Sequence, residues 1–196
     1  MWIAFMLIIV IILFLRNSKG NSKLTRKRHS KYWTLANKTH KKIRQYDDGR
    51  RVFYAIRNVN PYVFEELILV AFKSIGYKIK RSKRYSGDGG IDGEVKINGE
   101  WCFIQAKRYS DYINPQHVSD FKTLCDQRRK KGFFIHTGKT GRKALNEAGE
   151  SVVIISGRKL TDLLQLSAQK RSLFDRGYLQ KKRFEIMFSP KRKKDA

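Results

Sequence analysis

The chain has 196 residues, enough for one domain of ordinary size with appendages. Its 41% hydrophobic and 12% aromatic content excludes a disordered polymer, while two cysteines without C-x-x-C spacing, Cys102 and Cys125, exclude a zinc finger and argue against a disulfide framework. A formal net charge of +26 points to a polyanionic partner, either nucleic acid or an anionic membrane surface.

Residues 2–15 (WIAFMLIIVIILFL) form an uninterrupted apolar run. As a helix it is about 21 Å long, short of the roughly 30 Å hydrocarbon core. It has no polar face, and Arg16, Lys19, Lys23 and Arg26-Lys27-Arg28 follow at once. A cleaved signal peptide places its charge ahead of the apolar run and a small-residue site after it. The run therefore reads as an uncleaved N-terminal anchor. Positive charge on its C-terminal side then places the remainder in the cytoplasm.

Residues 16–50 read as a basic tether, polar and weakly periodic, with at most a short helix around Tyr32–Leu35. Over residues 16–60 there are 14 Lys/Arg against 2 Asp/Glu, whereas residues 61–169 hold 19 against 12. Such a tether suits anionic lipid or DNA equally. The middle of the chain keeps most of the acids, and metal binding beside a phosphate is one use for them.

An ordered domain is expected over 51–167. Val52, Phe53 and Ile56 recur at helical spacing, and Asn60-Pro61 supplies an N-cap and an N1 proline. The helix that follows carries Phe64, Leu67, Ile68, Ala71, Phe72 and Ile75 on one face and stops at Gly76. Tyr77–Arg81 reads as a strand and Ser86–Gly90 as a Gly-rich turn. Ile91–Ile97 and Glu100–Tyr109 then flank Asn98-Gly99, a strong two-residue hairpin signal. Beyond it the pattern predicts a helix from Asn114-Pro115 to about Gln127, a strand at Gly132–Thr137 and a helix at Thr140–Ala148. A buried strand at Val152–Ile155 and a helix at Arg158–Leu166 complete the series. This is an α/β fold, a mixed sheet with helices on both sides. Residues 168–196 form a basic extension interleaved with Phe174, Tyr178, Phe184 and Phe188. Both cysteines read as buried thiols of a reducing compartment.

A two-residue turn at Asn98-Gly99 sets Ile97 opposite Glu100, and counting outward sets Asp92 opposite Gln105. One face of the hairpin then holds Ile91, Val95, Ile97, Cys102, Ile104 and Ala106, and is core. The other holds Asp92, Glu94, Lys96, Trp101, Phe103, Gln105 and Lys107. Cβ atoms of Asp92 and Gln105 should lie roughly 5 Å apart, with Lys107 a diagonal neighbour at about 7–8 Å. A solvated edge with a surface ion pair of little energetic weight would show the same pattern. Trp101 and Phe103 argue for a partly covered face instead. A sheltered carboxylate, amide and ammonium suit phosphodiester chemistry at a hard cation.

The ordered series Phe64-Glu65-Glu66, Gly76-Tyr77, Gly87-Asp88-Gly89-Gly90-Ile91-Asp92-Gly93 and Gln105-Ala106-Lys107-Arg108-Tyr109 resembles the catalytic domain of the Mrr family. Gly132-Phe133-Phe134-Ile135-x-Thr137, Ala144 and Ile155-x-Gly157-x-x-Leu160 continue the likeness, which covers about residues 58–166. The resemblance implies the restriction-endonuclease-like fold of the PD-(D/E)xK superfamily and a DNA endonuclease using Mg²⁺, with Mn²⁺ as a substitute. It implies Asp92 as principal metal ligand, Gln105 at the second acidic position offering its amide oxygen, and Lys107 as the motif lysine acting on water and transition state. Glu65, on the first helix of that domain, matches a helix-borne acid that binds metal through water. Gln105 brings less charge than Glu, which weakens metal binding.

Asp88 is explained by turn chemistry, Glu94 by a solvated or bridging role and His136 by a satisfied strand end. Thr137-Gly138-Lys139-Thr140-Gly141 lacks the G-x-x-x-x-G-K-[ST] phosphate-loop pattern, leaving a strand-to-helix loop with a DNA backbone contact open to it. Mrr proteins of the founding type carry a winged-helix domain ahead of the nuclease; residues 1–50 here do not resemble one, so recognition of modified DNA does not carry over. The expected partners are DNA, mainly through its backbone, the membrane through residues 2–15, and, allowed but unspecified, a second copy in a homodimer. Three functions stay open: a membrane-tethered DNA endonuclease, a junction or repair nuclease of the same fold, and a non-catalytic membrane-anchored DNA-binding module.

Overall fold

The computed structural model describes residues 27–82 and 90–166. The expected anchor at 2–15, the Gly-rich turn up to Gly89 and the basic extension from 168 lie outside the described residues. Among the described residues no helix is long and apolar enough to cross a membrane.

Helix α1 spans residues 27–43. It occupies ground expected to be tether, and that expectation is corrected here. Ala36, His40 and Ile43 are buried, and Tyr32 and Trp33 pack on the same core. Spacings of four and three residues set these side chains on one stripe of a helix. Its other positions are Lys, Arg, Ser, Thr and Asn with His29 and an exposed Leu35, so the stripe is narrow and the stretch reads as polar.

Helices α2 (Gly49–Asn58) and α3 (Pro61–Ser74) follow. Asp48 caps α2 by accepting from Arg50 N at 2.8 Å, and Asn60 caps α3 by accepting from Tyr62 N at 3.0 Å, with Pro61 in the first turn. The expected apolar face of α3 is buried throughout, and so are Val63, Leu69 and Val70. That burial all round follows from α3 lying under the sheet with α1, α2 and α6 packed into the same core.

The sheet has five strands in the order β1 (Ile79–Arg81), β2 (Gly93–Ile97), β3 (Glu100–Lys107), β4 (Gly132–His136) and β5 (Val152–Ile155). The β1–β2 and β2–β3 pairs are antiparallel, while β3, β4 and β5 run parallel. The antiparallel β2–β3 pair needs only the tight Asn98-Gly99 turn, where φ is 48° and 90°. Parallel neighbours need crossovers, supplied by α4 (Pro115–Gln127) and α5 (Arg142–Glu147). Helix α6 (Gly157–Gln165) closes the fold. One face of the sheet meets α3 and α6 in a core containing Phe64, Phe72 and Phe133. The other meets α4 and α5 in a smaller core of Phe103, Val118, Phe121 and Phe134.

The hairpin register is as counted from the turn, from Ile97↔Glu100 to Gly93↔Ile104. Val95, Ile97, Cys102, Ile104 and Ala106 face the larger core as expected. Ile91 does not. It packs with Phe103 on the smaller core, because the chain leaves the ladder just before Gly93.

Candidate active site

The departure from the ladder makes the site. Asp92 N donates to Ile104 O at 2.9 Å, and Asp92 O accepts from Ser82 N at 3.2 Å, so its backbone is pinned between β3 and the end of β1. Its side chain then does what a strand carbonyl would have done: Oδ2 accepts from Ala106 N at 2.7 Å. Ala106 is 5% exposed, so this N–H has to be satisfied internally. The Asp92 carboxylate therefore lies against the Gln105–Ala106 peptide, closer to β3 than simple pairing across the hairpin would bring it.

Gln105 is 7% exposed, on the face opposite Ala106 and beside Phe134 in register. Its Oε1 is buried and accepts no hydrogen bond from the described residues. Such an oxygen costs about 1–3 kcal/mol when left unfilled. The turn before Asp92 covers this amide. A Cβ on Gly90 would fall 2.2 Å from Gln105 Nε2, and Gly90 has φ of +84°, so close approach and backbone both demand glycine there.

Lys107 ends β3, half-buried and in register with His136. Among the described residues its ammonium makes no ion pair or hydrogen bond, so the surface pair with Asp92 that the strand pattern allows is not formed. Glu65 sits on α3 one turn before Leu69. Leu69 packs on β2 at Gly93, its Cδ2 only 2.8 Å from where a Cβ would stand. Glu65 itself is half-buried. Asp92 thus meets β3 at the Gln105–Ala106 peptide and Lys107 ends the same strand, while Glu65 is carried by α3, which packs on the larger-core face.

Glu66, next to Glu65, is a residue that pattern reasoning missed. It is 2% exposed. Arg81 Nε donates to its Oε2 at 2.9 Å, Arg81 Nη2 pairs with Oε1, and His29 Nδ1 lies 3.3 Å from Oε1. Arg81 also donates to His29 O at 3.0 Å and lies 4.8 Å from the Trp33 ring centroid. This network fastens α1 to α3 and β1 beside the site. An acid inside an apolar helix stretch was the available signal, since such a group is buried only with a partner.

The remaining candidates have ordinary roles. Glu94 bridges to Lys130 at 2.6 Å. His136 is fully buried. Its Nδ1 accepts from Gly138 N at 3.1 Å and its Nε2 lies 3.0 Å from Thr140 Oγ1. Burial lowers its pKa to about 4 and keeps the ring neutral. Burial likewise pushes Cys102 and Cys125 up to about 12, so both stay thiols without nucleophilic character. Asp88 lies outside the described residues.

Among the described residues no group of three or more His, Cys, Asp or Glu side chains could hold a metal. The donor set at the hairpin is of a different kind: the carboxylate of Asp92 and the buried amide oxygen of Gln105, which lacks a donor. Few protein oxygens with several retained waters is how Mg²⁺ is commonly held. The residues present fit a hard divalent cation.

Neither curated proteins nor solved structures yield a match to the chain. The family model for the restriction endonuclease catalytic domain of Mrr type does match, over residues 56–164. That span runs from the end of α2 to α6 and contains the sheet, the hairpin and α3. With its mixed five-stranded sheet, its flanking helices and more than half its length inside that match, the chain belongs to the Mrr catalytic-domain family of restriction endonucleases.

Proposed function

We propose that the chain is a Mg²⁺-dependent DNA endonuclease, held at the cytoplasmic face of a bacterial inner membrane by residues 2–15. The observation that carries the catalytic part is the pairing of Asp92, docked on the Gln105–Ala106 peptide, with an amide oxygen of Gln105 that no donor fills. Asp92, Gln105 and, through water, Glu65 would hold the metal, with Mn²⁺ able to replace it. When bound, the ion supplies Lewis acidity toward the phosphate and an acidified water.

Hydrolysis adds water across one P–O ester bond and leaves a phosphate monoester and a hydroxyl. Lys107, at the mouth of the site with no carboxylate partner among the described residues, would orient the attacking water and offset charge on the five-coordinate phosphorus. The net charge of +26 draws the DNA backbone to the protein without reading sequence. The uninterrupted apolar run at 2–15 and the basic residues after it support the membrane anchor.

The experiment is plasmid cutting by the full chain in detergent micelles, with Mg²⁺, with Mn²⁺ and with chelator. Lys107→Ala should lower cutting at least about 100-fold without loss of DNA binding. Cutting by Lys107→Ala at the parent rate would remove the site assignment. Salt-sensitive binding with no cutting under either metal would favour a non-catalytic DNA-binding module. A panel of linear and branched DNA separates a general endonuclease from a junction nuclease. Recovery in the membrane fraction, lost on deleting 2–15, tests the anchor.

A further inference from the structure

The carboxyl ends of β3 and β4 carry a second structure, immediately beyond Lys107. The segments 108–113 and 137–141 are joined by main-chain and side-chain bonds. Thr137 Oγ1 donates to Tyr109 O at 2.8 Å and accepts from Tyr109 N at 2.9 Å. Lys139 N donates to Asp111 O at 3.0 Å, and Ile113 N donates to Lys139 O at 3.1 Å. A Cβ on Gly138 would lie 2.2 Å from Asp111 O, so the two segments approach this closely only over glycine. From α2, Arg57 Nη2 donates to Thr137 O at 3.0 Å, and Arg57 O accepts from Arg108. Buried His136 supports Gly138 from below. The result is a braced platform in place of two independent loops.

Tyr112 stands on this platform 63% exposed. Its ring lies over Gly141, whose absent Cβ would be 3.6 Å from Cδ1, and the Lys139 ammonium is 5.3 Å from its centroid. Lys139 pairs with Asp111 at 3.3 Å, but both side chains are more than 60% exposed, so that pair holds the lysine weakly. Arg57 is also exposed. A rigidly mounted aromatic ring left in water adds nothing to the core. Flanked by cations and five residues beyond Lys107, it suits a nucleobase whose neighbouring phosphates meet Lys139 and Arg57.

We propose that Tyr112 is a stacking platform for an unpaired base beside the phosphate that is cut, so that the substrate class is DNA with unpaired nucleotides, such as a bubble or fork, ahead of fully paired duplex. Stacking accepts any base, because each has a π-face, so the preference is for DNA shape and not for sequence. The location of the cut rests on the endonuclease reading above; the binding preference does not.

The experiment measures fluorescence anisotropy of the full chain in micelles, with chelator present, on a duplex and on the same duplex with a short central bubble. The parent should bind the bubble about tenfold more tightly. Tyr112→Ala should erase that preference and leave duplex affinity unchanged, and Tyr112→Phe should retain it. A 2-aminopurine in the bubble should be quenched by the parent and by Tyr112→Phe but not by Tyr112→Ala. The ring is outside both cores, so melting of the variants should match the parent and exclude misfolding. A bubble preference that survives Tyr112→Ala, or no preference in the parent, would overturn the platform. If the parent cuts no DNA yet shows the Tyr112-dependent preference, the nuclease reading fails and the platform stands. If it cuts both forms equally and Tyr112→Ala alters neither cutting nor binding, the platform fails and the nuclease reading stands.

Discussion

Asp92 carries two duties that substitution can separate. Its Oδ2 accepts from Ala106 N at 2.7 Å in a place that is 5% exposed. Asp92→Ala removes the acceptor and strands a buried N–H, which costs about 1–3 kcal/mol, nearer the upper end because the lost bond is to a charged group. Asp92→Asn keeps an oxygen at the same reach and loses only the charge assistance, about 1 kcal/mol or less. Neither variant keeps the negative charge that metal binding needs. Urea unfolding of the full chain in chelator should therefore rank parent, Asn and Ala in descending stability, with Ala about 2 kcal/mol below the parent. Plasmid cutting should be lost equally in both variants. Equal destabilisation by Asn and Ala would refute the structural duty of Oδ2, and cutting by Asp92→Asn at the parent rate would refute the catalytic one.

Gln105→Glu places a carboxylate where an unfilled amide oxygen now sits; the variant should be less stable than the parent in chelator by about 1–3 kcal/mol and gain more melting temperature from Mg²⁺ than the parent does. Equal Mg²⁺ shifts would remove Gln105 from the metal site. His136 has its pKa lowered to about 4 from 6.5, so the unfolded chain binds a proton in that interval that the folded chain does not. Stability from this group is full above pH 6.5 and falls by up to about 3 kcal/mol as pH drops through 4; urea midpoints across that window should fall, and His136→Gln should flatten the slope. Buried His40, also lowered by burial, adds in the same direction. Glu66→Ala leaves Arg81 facing a buried position without its acid; because the Arg81 side chain is 33% exposed, the loss should be about 2 kcal/mol, below the range for a fully buried pair. Faster proteolysis within 27–43 would show that α1 has come loose, and unchanged proteolysis would dissociate the network from α1 docking.

The hairpin could be counted residue by residue because Asn98-Gly99 admits one turn geometry, and period-two alternation did the rest. The counting stopped being valid at Asp92, where a side chain replaces the backbone in the ladder. Alternation carries no mark of such a replacement, so Ile91 was assigned to the wrong core. Capped helices were equally plain, since Asn60-Pro61 and Asn114-Pro115 each combine an N-cap with a proline in the first turn. Helix α1 was hidden for the opposite reason. Its buried stripe is Ala36, His40 and Ile43, and two of those three are small or polar, so hydrophobicity hardly registers the face. Glu66 was obscured by Glu65: two adjacent acids look alike in a sequence, and only burial and the pairing with Arg81 single out the structural one.

The bond network around Glu66 also has a mechanical meaning. The first described turn of α1 carries His29, which meets Glu66 and Arg81. Arg81 is followed by Ser82, whose N–H holds the Asp92 carbonyl. Tension arriving through the residues ahead of 27 would load the His29–Glu66–Arg81 joint, one residue along the chain from the Ser82 N–H that holds Asp92. A load on the N-terminal segment would act on the site like a hand on a latch.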